Sequence, residues 1–356
     1  LFGISGLGEL VYVISLLSIS LVGLRYTFAY VELISLLKLG VIFLFPVMIH
    51  FIIYNDYSWF YFIHYFISLF SGFVLARYYN KLNLKLIFYT IFILEFFYIF
   101  LFSDMGNSEF VNRTYYTVPL AILWLALVIK DYYNGKEFDL AVLSCFFIIT
   151  ILSFSRSTFL AVLVVIVLYV LVTCLSRNLT KIGMVSLFSL FIVAIPLVVF
   201  GYDFALDTGI VERINERGLD SGRYAFWLWY VLSLDFTSLI IGRDTYEVSS
   251  SLDTIFFSNS GATHTLHNSF LQLHMHAGIV PLIYVIYLFI KLLKCCFEGK
   301  GAILVYGVAF VFLSKALFDT IIFPQRFDFL VFAILFFLYN KFKQRMRPAM
   351  PAANVG

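Results

Sequence analysis

Four of the six histidines fall within thirteen residues, in the run Thr263-His264-Thr265-Leu266-His267-Asn268-Ser269-Phe270-Leu271-Gln272-Leu273-His274-Met275-His276. An imidazole exchanges its proton near neutral pH, so a group in this run can take a proton from a hydroxyl. On a helix that includes His267, the residues His267, Leu271, His274 and Gly278 share one stripe. A metal reading competes, because His264 and His267 are three apart and His274 and His276 two apart. That reading needs four converging donors, and no Cys or nearby acid completes the set. The sequence is therefore read with no metal and no cofactor. A third reading makes these histidines ordinary interface residues with no chemistry.

Two arginines are the other candidates. Arg223 opens the aromatic run Arg223-Tyr224-Ala225-Phe226-Trp227-Leu228-Trp229-Tyr230, just after Asp220 and Ser221, either of which reads as an N-cap. The pattern predicts a helix of about 13 residues, too short to cross a bilayer and suited to lying in an interface. A helix N-terminus repels a cation unless an anion is shared there. Arg156 sits in Ser155-Arg156-Ser157 between two apolar stretches. A permanently charged guanidinium at that depth is costly unless it snorkels or holds an anion.

The elements that must carry these residues are apolar. The 356 residues are 62% hydrophobic, 20% aromatic and 13% charged, about half the charge fraction of a soluble domain. Mean hydropathy is +0.96. Apolar stretches recur at 2–23, 31–53, 59–76, 85–102, 115–130, 138–154, 157–175, 182–200, 267–290, 302–319 and 328–340. Their length fits spanning helices, because backbone polar groups in hydrocarbon must be paired within their own segment. The expected fold is all-α: a polytopic integral membrane protein of about eleven spans. Residues 1–347 form one helical domain, whose long loop 201–266 carries the short interfacial helix. The chain begins at Leu1 rather than Met, so an upstream segment and a twelfth span are allowed for. Residues 348–356 read as a disordered tail or an appended remnant.

The cations orient the helices. With a cytoplasmic C-terminus, the inner loops hold ten Lys and five Arg, whereas the outer side holds seven Arg and no Lys. The outer set is Arg113, Arg156, Arg213, Arg217, Arg223, Arg243 and Arg326. Arg presents a planar fork of donors to phosphate and carboxylate oxygens, which a Lys ammonium does not. The alternative is local pairing, most plainly for Arg213 and Arg217 beside Glu212 and Glu216. Cys145, Cys174, Cys295 and Cys296 lie in spans or on the inner side, so no outer disulfide framework is expected.

Taken in order, these features resemble the O-antigen polymerase and ligase superfamily. His267-Asn268 followed by nine residues and Gly278 is similar to that family's His-Asn/Ser/Gln-x9-Gly signature. Ser155-Arg156-Ser157 resembles its Ser-Arg-Gly/Ser turn, and Gly222-Arg223, Trp227 and Ile241-Gly242 resemble its loop segment. The likeness covers about residues 150–290. Pro281 and Arg243 depart from it, in a way that favours a Wzy-type repeat-unit polymerase over a ligase. The resemblance implies metal-independent glycosyl transfer at the periplasmic face of a bacterial inner membrane. The implied donor is an undecaprenyl-diphosphate-linked oligosaccharide, with membrane lipid and a chain-length regulator as further partners and no nucleic acid. It implies His267 as general base and Arg156 and Arg223 as diphosphate ligands. Arg213, Arg217, Arg243, His264 and Arg326 rank behind them. A ligase acting on lipid A core is the alternative. A lipid-linked oligosaccharide flippase is the non-enzymatic one, although the few in-span charges (Glu32, Lys38, Glu95, Lys315) and the lack of a repeat argue against it.

Overall fold

The computed structural model describes residues 18, 30–54, 58–102, 117–153, 156–176, 223–256, 266–318 and 327–346. Every regular element among them is a helix. In chain order these are α1 (Tyr30–Tyr54), α2 (Ser58–Tyr78), α3 (Leu84–Phe102), α4 (Thr117–Tyr133), α5 (Leu140–Leu152), α6 (Arg156–Ser176) and α7 (Arg223–Leu232). Then come α8 (Phe236–Ile241), α9 (Thr245–Phe256), α10 (Ser269–Ala277), α11 (Ile279–Cys296), α12 (Lys300–Phe318) and α13 (Asp328–Met346).

Among the described residues, two helices meet the length and hydropathy that crossing a bilayer requires, Ile279–Cys296 and Gly301–Phe318. Exposed apolar stripes at helical spacing run along α11 and along two further helices. Val41, Phe45, Met48 and Ile52 line α1; Val164, Val167 and Leu171 line α6; Val280, Ile283, Tyr287 and Ile290 line α11. The opposite faces build one continuous core in which α4 is buried along its first thirteen residues, from Thr117 to Ile129. α2 and α13 pack closest, and a Cβ at Gly72 would lie 2.6 Å from that of Phe332, so only a hydrogen fits between the backbones.

The two ends of this bundle differ in chemistry. At one, Lys130 bonds the Leu82 carbonyl and Lys85 pairs with Asp139, the N-cap of α5. There too Tyr133 donates to the Cys296 carbonyl (3.0 Å) and Arg345 pairs with Glu298 (3.1 Å). The opposite end gathers His50, His64, His267, His274 and His276. His50 donates through Nδ1 to the Ile241 carbonyl (3.2 Å), and His64 donates through Nε2 to the fully buried Asp328 (3.1 Å).

Three expectations change. The apolar stretch 267–290 is two helices, not one, because Gly278 breaks it, and α11 runs on to Cys296. The aromatic helix is ten residues long rather than about 13, and the loop that carries it holds two more helices, α8 and α9. The last span extends to Met346. The stretches 2–23 and 182–200, the proposed N-caps Asp220 and Ser221, and the tail lie outside the described residues.

Candidate functional site

α10 is started by a side chain. Asn268 accepts from the amides of Phe270 (2.9 Å) and Leu271 (3.1 Å), satisfying two N–H groups that a helix start leaves open. His267 therefore precedes the helix instead of sharing its stripe. It has φ +47°, the one positive value for a non-glycine among the described residues. That basin is small for any L residue, although His enters it more readily than most, and neighbouring structure holds it there.

The neighbours are identifiable. Leu266 is fully buried in a small second core with Phe226, Tyr230, Val248, Leu252 and Met275. Its carbonyl accepts the indole N–H of Trp227 at 2.8 Å. Trp227 sits one turn after Arg223 on α7, and its ring lies 5.7 Å from that of Phe318, the last residue of α12. Arg223 itself donates through a terminal nitrogen to the Phe318 carbonyl. A guanidinium at a helix C-terminus meets the negative end of the helix dipole, which explains how a cation is tolerated at the start of α7.

Arg156 is related to the same point by helix register. α4 and α5 form a short-looped hairpin, and α5 and α6 form another, with Phe147 stacked on Phe159 at 5.7 Å and Phe138 against Tyr169 at 5.6 Å. Near its C-terminus α4 brings Tyr132 to Gly301 at the start of α12, where an added Cβ would lie 3.5 Å from the ring, so α12 runs antiparallel to α4 and hence to α6. A Cβ at Gly307 would lie 3.4 Å from the Val165 side chain and 3.1 Å from that of Leu168. Phe318 lies eleven residues beyond Gly307, and Arg156 at the start of α6 lies nine residues before Val165 and twelve before Leu168. Arg156, which heads α6, is thus level with Phe318.

α8 and α10 hold this end together through two glycines. Gly242 closes α8 at φ +98°, and a Cβ there would lie 2.3 Å from the Met275 carbonyl oxygen. Gly278 closes α10 at φ +74°, and a Cβ there would lie 1.8 Å from the Ile240 carbonyl oxygen. Each glycine is seated on the other's helix. Around them Arg243 donates its amide to Met275 (3.0 Å), Tyr54 donates to Gly242 (3.0 Å), and His274 donates through Nε2 to Leu239 (3.0 Å). Asp235 caps α8, and the hydroxyl and then the amide of Ser238 hold its carboxyl below the usual range.

The remaining histidines separate. His274 accepts at Nδ1 from the Tyr230 hydroxyl (2.8 Å), so both of its nitrogens brace α10 against α7 and α8. His276 turns to the other side, against the Tyr61 ring (3.9 Å) and within 2.9 Å of the Gln272 amide. Among the described residues no group of three His, Cys, Asp or Glu converges as a metal site. Arg243 is engaged by Glu247, by Ser233 (2.5 Å) and by the Trp229 ring (5.6 Å). Arg213, Arg217, His264 and Arg326 lie outside the described residues. A cleft of about 70 Å³ lined by Trp124, Asp131, Lys136 and Asp139 lies at the opposite, Lys-rich end of the bundle.

Sequence reasoning passed over Trp227 as a donor, and over Leu266 and Phe318 altogether. Their partners are 39 and 95 residues away, beyond any local pattern. Tyr230→Phe removes the hydroxyl that holds His274 and is expected to lower stability by about 1–2 kcal/mol, the cost of leaving a buried nitrogen unmatched. The drop in unfolding midpoint of detergent-solubilised protein measures it.

Compared with protein-family models, with curated proteins and with solved structures, the chain matches none.

Proposed function

We propose that this chain is a polytopic membrane glycosyltransferase that moves a glycan from a polyprenyl diphosphate to a sugar hydroxyl. Within that class we take it to be a repeat-unit polymerase of the O-antigen type, acting on undecaprenyl-diphosphate-linked oligosaccharide at the periplasmic face of a bacterial inner membrane. Support for the lipid setting comes from the two helices of spanning length and from the exposed apolar stripes on α1 and α6, which water would penalise and lipid would not. The Lys-rich end would be the cytoplasmic one.

The observation that carries the chemical reading is the meeting of three elements at Phe318. Arg223 bonds its carbonyl, Arg156 heads the helix level with it, and the chain just before His267 is tied to the indole that packs on its ring. In the reaction the anomeric C–O bond to phosphate breaks as a new one forms to the acceptor oxygen. His267 takes the acceptor proton, and the polyprenyl diphosphate leaves with the bonding electrons. The departing charge needs fixed positive partners, and Arg156 and Arg223 supply them in this reading. Arg243, already bound to Ser233 and Glu247, serves as a brace.

The test is reconstitution of the purified protein in vesicles with lipid-linked repeat units and no other acceptor. A ladder of extended glycans is expected, with one polyprenyl diphosphate released per linkage. Product formed only after lipid A core is added would make the chain a ligase. Units crossing the bilayer with no linkage formed would make it a flippase.

A further inference from the structure

Resting on that reading, we infer that Trp227 is the positioning residue that holds the base and the diphosphate arm in one geometry. Three observations converge on this side chain. Its indole N–H is spent on the Leu266 carbonyl at 2.8 Å, the peptide group directly before His267. Its ring packs on Phe318 at 5.7 Å, and Phe318 is also the residue to which Arg223 donates. Arg223 and Trp227 stand four apart on α7, on the same side of the helix.

His267 needs such a restraint. A histidine at φ +47° sits in a small, disfavoured basin and relaxes to negative φ unless both flanks are fixed. The following flank is fixed by Asn268, which caps α10. The preceding flank is Leu266, whose side chain is buried in the second core and whose carbonyl answers to Trp227. Breaking the indole bond frees the peptide plane between Leu266 and His267 to rotate, and the imidazole swings with it. The fold has other supports at this end, namely the paired glycines and the His274 bonds, so the loss falls on geometry and not on assembly.

The role separates from a merely structural one in kinetics. Replacing Trp227 by benzothienylalanine keeps the shape and ring contact while removing the N–H; Trp227→Phe does the same with a smaller ring. In the full chain, both are expected to lower kcat for repeat-unit extension about a hundredfold, the scale of an ångström-sized misplacement. KM for the lipid-linked donor stays at the wild-type value, and the unfolding midpoint falls by no more than in Tyr230→Phe, since each variant leaves one buried polar atom unmatched. Unchanged kcat in the benzothienylalanine protein, with His267→Asn inactive, overturns the inference and leaves the reading of the reaction intact. Activity lost only in step with folded protein, or a rise in KM matching the fall in kcat, overturns it too. Full activity in His267→Asn removes the base itself, and with it both the reading and the inference.

Discussion

Gly278→Ala is expected to cost at least about 3 kcal/mol and to abolish activity, because two independent penalties fall on one methyl group. The first is conformational: Gly278 has φ +74° and ψ −170°, a region essentially reserved for glycine, where an L side chain is strained by about 1–3 kcal/mol. The second is steric. The added Cβ would lie 1.8 Å from the Ile240 carbonyl oxygen and 2.6 Å from its carbonyl carbon, which is backbone and cannot rotate away. Relief requires α10 to lift off α8, and that motion also breaks the Leu239–His274 bond and the Arg243–Met275 bond.

A second glycine isolates the two penalties. Gly299 also has a positive φ, +76°, but nothing lies within 4 Å of its would-be Cβ. Gly299→Ala is expected to show the cost of a positive φ alone, and the larger fall in unfolding midpoint expected of Gly278→Ala reports the Ile240 contact together with its glycine-only ψ. Equal, mild effects would mean that α8 and α10 are not seated on each other as described. Gly242→Ala, at φ +98° with the Met275 oxygen at 2.3 Å, should side with Gly278.

The same pair of glycines marks the limit of what a linear reading can reach. The apolar stretches 59–76 and 85–102 emerge as the helices Ser58–Tyr78 and Leu84–Phe102, since apolar length is a local property legible along the chain. Hydropathy passes straight through Gly278, because the residues after it are as apolar as a continuous span requires. The break is imposed by Ile240, thirty-eight positions earlier, which takes the space a side chain would need. The polar, acidic stretch after Tyr230 reads as loop by composition. Yet Asp235 and Ser238 form a reciprocal capping box at the start of α8, a signal of the kind that does mark helix starts in sequence. Arg243 is the converse. Its Glu247 partner is legible from the spacing of four, and the guanidinium is paired with that carboxylate. The arginine and histidine candidates were legible as residue types with an excess of charge or proton affinity for their surroundings. Their relation to Phe318 was not, because it is written in packing between helices far apart in the chain.

Because His267 holds a positive φ, the choice of replacement decides whether its chemistry can be tested at all. Alanine at φ +47° would relax the backbone and mix a conformational effect with a chemical one. Asparagine tolerates the left-handed region, is of similar polarity and has no proton-accepting ring nitrogen. His267→Asn is therefore expected to fold with a wild-type unfolding midpoint and to bind the lipid-linked donor as before. Its extension rate should fall about a thousandfold, within the range that a positioned general base contributes. Added imidazole should restore part of the rate, since the space vacated by the ring adjoins the acceptor oxygen in this arrangement. His274→Asn supplies the contrast from the same helix: both of its ring nitrogens are committed to Tyr230 and Leu239, so its loss should appear in stability and not be rescued. Undiminished extension by the His267 variant would remove the base from the scheme and leave Arg156 and Arg223 as a charged site without a proton acceptor. A rate loss that imidazole restores at position 267 and not at position 274 would locate the proton transfer at the one histidine whose backbone is held out of its preferred conformation.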